Sequence, residues 1–173
     1  TIKKLSKNNE ITLCVMSDGA SAQYDDKKMI KVRQDACKKA GKILGISKFY
    51  FLNFPDMKLD SISHLEMNKE LEKIIKKINP KILYSTSYND LNKDHQKVFE
   101  SCSVISRPIS SKIKQFLCFE MGGRNKTPFN PNTYVDISKE LSFKLKALNQ
   151  YKTEINPFPH ERSLKFIESL SHV

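Results

Sequence analysis

The sequence predicts an α/β fold, a mostly parallel sheet with helices on both of its faces. Three observations carry this expectation. Short apolar runs of strand length alternate with longer amphipathic stretches through the first two thirds of the chain. Asp18-Gly19, Gly45, Pro55 and Pro80 stand at the ends of those runs. The chain has 173 residues, 39% of them apolar, which suffices for one real core.

Taken in order, Thr1–Lys7 reads as part of a helix. Ile11–Met16 is a buried-strand run closed by Ser17-Asp18-Gly19, a tight exit suited to a sheet's carboxyl edge. Over Lys27–Leu44, residues Ile30, Arg33/Gln34, Cys37, Ala40 and Ile43/Leu44 recur at helical spacing, and Gly45 stops them. Phe49–Leu52 is the second strand, and it runs into Asn53-Phe54-Pro55-Asp56, where proline forbids simple continuation. Ile62–Ile78 reads as a helix with Leu65, Leu71, Ile74/Ile75 and Ile78 on its apolar face. Lys81–Ser85 is a third strand, and Asp94–Ile105 a helix closed by Arg107-Pro108. Ile113–Phe119 and Thr133–Ile137 read as later strands. Ser138–Tyr151 is a helix, with Ser138 as its N-cap and Glu140 near its positive end. Arg162–Leu170 begins a last one.

Composition narrows the function. No stretch approaches the roughly 18 uninterrupted apolar residues of a membrane span, and no secretory h-region is seen. Cys14, Cys37, Cys102 and Cys118 lie far apart without CxxC pairing, which argues against a disulfide or cysteine-zinc scaffold and for a reducing, cytoplasmic setting. The net charge of +11 invites a nucleic-acid reading. Yet only four of the 30 basic residues are arginine, and the lysines are scattered, so nucleic acid is not the favoured partner. A basic module for nucleic acid or an acidic polymer stands as the competing class, with a steep salt dependence as its signature.

Ligands of such folds bind beyond the carboxyl ends of the strands. The loops Ser17–Asp26, Asn53–Asp60, Ser85–His95 and Glu120–Asn132 are therefore where chemistry is expected. The densest in polar residues is Thr86-Ser87-Tyr88-Asn89-Asp90-Leu91-Asn92-Lys93-Asp94-His95. A neutral His95 can bind a metal through one ring nitrogen while Asp90 or Asp94 holds the other. The same residues also suit a plain helix cap with a surface histidine, since one His does not bind zinc by itself. No HExxH, P-loop, GxGxxG, GxSxG or EF-hand spacing occurs. Asp18 and Asp56 are loop carboxylates at the same edge, suited either to sugar hydroxyls or to closing turns.

Taken together, Thr1-Ile2, Ile11–Gly19, Arg33, Leu44-Gly45-Ile46, Asn53–Asp56 and Asp90-Leu91-Asn92-Lys93-Asp94-His95 resemble, in this order, the PIG-L/LmbE-like N-deacetylases. These are relatives of N-acetylglucosaminyl-phosphatidylinositol de-N-acetylase. Phe129–Ser138 and Pro157–Ser163 resemble bacterial members found with surface-polysaccharide or sugar biosynthesis. The resemblance implies a Rossmann-like doubly wound layer and a single domain over 1–173, incomplete at both ends. It implies a zinc ion, or another divalent metal, with His95 as one ligand. A His-Pro-Asp-Asp-Glu motif would supply the rest, and it is expected upstream of Thr1. The implied chemistry is metal-assisted hydrolysis of the acetamide of an N-acetylated sugar, with an Asp of that motif as general base. In many relatives a His three residues before the ligand His assists the oxyanion. Here the position is Asn92, which can donate a hydrogen bond but not a proton. Asn92 and Asp94 are the catalytic candidates, and Arg33, Asp18 and Asp56 the sugar-binding ones. For Arg33 the alternative is an ordinary salt bridge. A homo-oligomer is compatible with this reading, and so is a catalytically silent relative.

Overall fold

Strands and helices alternate over most of the computed structural model, which describes residues 1–24, 26–109, 111–122 and 125–172. The order is α1 (Ile2–Leu5), β1 (Thr12–Ser17), α2 (Lys27–Leu44), β2 (Lys48–Phe54), α3 (His64–Ile78), β3 (Ile82–Ser85), α4 (Lys93–Ile105), β4 (Gln115–Cys118), α5 (Leu141–Leu148) and α6 (Leu164–Leu170). Two units form, Thr1–Asn53 with Pro131–Val173, and Phe54–Asn130. Among the described residues the strands make two two-stranded sheets, β1–β2 and β3–β4. The fold is thus mixed α/β.

In the first unit, α2 begins where the Asp26 carboxylate accepts the Lys28 N–H at 2.8 Å, relieving one of the orphan donors of a helix start. It ends at Gly45, whose φ of 85° lies in the left-handed region. A Cβ there would stand 2.3 Å from Ser6 Oγ, so space as well as conformation asks for glycine. Inside the helix, a Cβ on Gly41 would meet the Phe49 ring at 2.4 Å, so the absent side chain is what lets β2 approach. Helix α2 packs on α5, with Cys37 and Ala40 buried on one and Ala147 on the other.

In the second unit, β3 and β4 pair in parallel, with Ile82 opposite Gln115 and Ser85 opposite Cys118. Parallel neighbours need a crossover, and α4 supplies it. Helix α3 packs on α4. Met67, Leu71 and Ile74 are buried on the first, Cys102 and Ile105 on the second. Met67 is fully excluded from water, and burying such a side chain contributes about 1.5–3 kcal/mol. The core side of this crossover fixes where the start of α4, and hence His95, stands. Among the described residues no helix is long and apolar enough to cross a membrane.

Among the element boundaries that differ from the sequence expectation, four have a local reason. Thr133–Ile137 is not a strand: Tyr134 and Val135 are both exposed, so neither face of the segment has a core to cover. Just beyond, Asp136 Oδ1 accepts the Ser138 N–H at 2.9 Å and its hydroxyl at 2.6 Å, which bends the chain. That leaves Ser138 in a turn, and α5 starts at Leu141 with Glu140 as its cap residue. Helix α3 starts at His64 because a 3-10 turn occupies Leu59–Ser61. Strand β2 runs on to Phe54, ending where Pro55 removes the next donor.

Candidate functional site

The link from β3 to α4 is built from side chains that cap their own backbone. Asp90 Oδ1 accepts the Asn92 N–H at 2.8 Å, and Asn92 Oδ1 accepts the Asp94 N–H at 2.8 Å. Two consecutive turns of this kind follow from Asx residues at spacing two, and the second is the N-cap of α4. Asp90 is wholly buried. Its other oxygen, Oδ2, lies 2.8 Å from His95 Nδ1. The Gln96 amide donates to the Asp90 carbonyl at 2.7 Å, and the Thr86 hydroxyl donates to the His95 carbonyl at 2.8 Å, so the loop folds back over the first turn of the helix. With both Asp90 oxygens accepting, a neutral His95 carries its proton on Nδ1 and leaves the lone pair on Nε2. The His95 side chain is 25% exposed.

Neighbouring loops of the same unit are fastened to this one. Asp94 is buried, and its Oδ1 accepts the Leu59 N–H at 3.0 Å. Burial is the main reason its carboxyl titrates above the usual range. The Leu59 and Met57 N–H groups act the other way, and Asp56 and Asp60 add repulsion. Met57 has φ of 56°, a conformation side chains avoid, and the Asp94 carboxylate helps hold that turn. Asn92 Nδ2 reaches Met57 Sδ at 3.7 Å. On the other side Asn89 donates to the Thr127 carbonyl at 2.7 Å and accepts from the Thr127 N–H and hydroxyl at 3.2 and 3.1 Å. Asp90 and Asn125 form an isolated antiparallel bridge. Three of the four loops expected at the carboxyl edge, those around residues 56–60, 86–95 and 125–127, therefore meet within this unit. Asn89, Thr127, Leu59 and Met57 were not among the expected site residues. Their partners lie 35 to 38 positions away, and no local pattern signals them.

Asp18 and Arg33 belong to the other unit. Asp18 Oδ1 accepts the Ala20 and Ser21 N–H groups at 3.0 and 2.9 Å, which closes the turn after β1. Arg33, nine-tenths buried, pairs with Glu154, which also takes Arg162. The Tyr24 ring lies 5.9 Å from the Arg33 guanidinium. A surface cleft of about 420 Å³, lined by Asn79, Lys81, Pro108 and Ile113 among others, shares no residue with the His95 loop. Among the described residues no three His, Cys, Asp or Glu side chains gather into a metal-holding group. His95, with Asp90 behind it, fits one ligand position.

The sequence profile of the family described as PIG-L, GlcNAc-PI de-N-acetylase, matches residues 1–105. The chain belongs to the PIG-L family. Its match ends with α4, so the profile takes in the whole β3–loop–α4 segment that carries His95. Two solved structures share the fold. A conserved protein from Thermus thermophilus superposes with a TM-score of 0.70 at 16% identity, covering 88% of this chain and 70% of that one. The N,N'-diacetylchitobiose deacetylase from Pyrococcus horikoshii, solved with its inhibitor, gives 0.70 at 24% identity, covering 98% and 68%. In this PIG-L chain the Asn92 side-chain carbonyl oxygen is spent on the helix cap.

Proposed function

We propose that this protein is a metal-dependent N-deacetylase that hydrolyses the acetamide of an N-acetylated amino sugar or its conjugate, in cytoplasmic surface-glycan or sugar biosynthesis. The family's description and the likeness to a chitobiose deacetylase support the substrate class. A doubly wound, Rossmann-like layer belongs to the same proposal, and the parallel β3–α4–β4 crossover supports it.

The observation that carries the proposal is the buried Asp90 carboxylate on His95 Nδ1, at 2.8 Å. That contact keeps the proton off Nε2 and holds the ring in one orientation, as a metal-ligating imidazole requires. Zinc, or another divalent cation, is the group that His95 would hold. When bound, such a cation polarises an amide carbonyl and makes water a nucleophile near neutral pH. The chain's own residues do the rest of what is proposed here. Asp90 fixes the His95 tautomer. Asn92 has its Oδ1 committed to the helix and one amide N–H on Met57 Sδ, so its second amide N–H is the group to donate toward a developing oxyanion. Asp94 holds the Met57–Leu59 turn against the helix start and acts as a positioning residue. Asp56, which lies near Asp94, is a candidate for sugar hydroxyls, and Arg33 and Asp18 are kept as further sugar-binding candidates.

The test is acetate release by the intact protein from an N-acetylglucosamine conjugate, with and without a chelator. Chelation is expected to stop turnover, and His95→Ala to remove most bound metal. Undiminished turnover by a metal-free His95→Ala protein would end the proposal.

A further inference from the structure

Tyr88 stands between pinned residues and is itself 68% exposed. Ser87, Asn89 and Asp90 around it are all buried and hydrogen-bonded: the Ser87 hydroxyl accepts the Asn89 N–H at 3.1 Å, Asn89 is tied to Thr127, and Asp90 to His95. The backbone that carries the exposed ring is therefore already ordered. The ring is fixed too. It packs at 5.7 Å, tilted by 53°, on Phe99, which in turn stacks at 5.7 Å on Phe116 of β4. An aromatic ladder thus runs from the sheet to the surface and ends in an open ring. Phe99 follows His95 by four residues on α4, so the two share a helix face with Cβ atoms about 5–6 Å apart. Tyr88 thus packs on the residue that stands one helical turn beyond His95.

We propose that Tyr88 is a specificity-determining residue, the platform on which the pyranose ring of the substrate lies while its acetamide faces His95. This rests on the deacetylase proposal above. A pyranose in the chair form presents a face of axial C–H groups, weakly positive and poorly hydrated. An aromatic face, negative at its centre, complements it. A ring that is already ordered loses little entropy on contact, so the stacking is not offset by ordering cost. No charged group is needed, so the platform accepts a neutral sugar and leaves recognition of any carrier to other surfaces. The ring rather than the phenol hydroxyl does the work.

Two measurements on the intact protein test this. In steady-state acetate release, Tyr88→Ala should raise KM about tenfold with kcat changed less than about threefold, and Tyr88→Phe should restore KM. These 173 residues contain no tryptophan, so Tyr88→Trp adds a reporter at this position, whose emission, read as the difference from the wild-type protein, should shift on titration with N-acetylglucosamine. An unchanged KM in Tyr88→Ala, or a hydroxyl requirement shown by Tyr88→Phe behaving as Ala, overturns the platform while leaving the deacetylase reading intact. If the wild type releases no acetate, the deacetylase reading falls, and the tryptophan signal alone decides: a saturable shift upholds sugar stacking, and no shift overturns it.

Discussion

Replacing Asp90 by Asn is the sharpest probe of the His95 arrangement, because it changes one atom and little volume. In the native loop Oδ1 accepts the Asn92 N–H and Oδ2 accepts the His95 Nδ1–H, each at 2.8 Å. An asparagine has one acceptor oxygen and one donor amide. If the oxygen stays on Asn92, the amide faces Nδ1 and donates to it, and the imidazole proton moves to Nε2. The nitrogen that would bind metal then has no lone pair to offer. Support of this kind is worth about 10–100-fold in metal affinity, or ~1.4–2.7 kcal/mol. The folding cost is the difference between a charged and a neutral hydrogen bond, about 1–2 kcal/mol, which a domain of ordinary stability survives. Zinc competition against a chromophoric chelator reads the affinity in the intact protein, and circular dichroism confirms that it is folded. A folded Asp90→Asn protein with wild-type zinc affinity would refute the tautomer argument.

Other perturbations address the scaffold and the neighbouring contacts. Met67→Ala should lower stability by about 2–5 kcal/mol, because the side chain is fully buried between α3 and its neighbours, and denaturant unfolding measures it. Asn92→Ala removes the N-cap of α4 and should cost ~1 kcal/mol, while Asn92→Ser restores most of it; thermal melts of the three proteins separate the cap from any catalytic role. The Lys7 ammonium, 2.7 Å from Glu140, holds that carboxyl below its ordinary value of 4.5. The folded state therefore binds the proton less readily than the unfolded one, so this contribution is complete above about pH 4.5 and disappears as the pH falls below it. The stability gap between wild type and Lys7→Ala, followed down the acid range, should close accordingly. Burial pushes the Cys102 thiol up to about 11, so iodoacetamide at pH 8 should leave it unmodified until the protein unfolds.

What could be read from residues alone was what short-range chemistry determines. Helix α2 has the expected bounds because both of its stops are local, the Asp26 cap and the left-handed Gly45. The polar loop before α4 was legible for the same reason: Asp90 and Asn92 each cap the amide two residues ahead once the chain turns there. Asp90 and Asp94 were indistinguishable as supports for His95 in the sequence. Packing separated them, by turning Asp90 onto the imidazole and Asp94 onto the Leu59 amide.

Contacts between distant segments were beyond such reading. Thr133–Ile137 alternates like a strand, yet a strand exists only where another edge accepts its amides, and this one has exposed side chains on both faces. Glu154 on Arg33 and Thr127 on Asn89 are equally silent in the sequence, since each needs two remote loops delivered to the same few ångströms. Local hydrogen bonding and hydrophobic period act over a few residues and are written in order along the chain. Which acceptor meets which donor across 35 positions depends on how helices and sheet settle, and only the folded unit decides that.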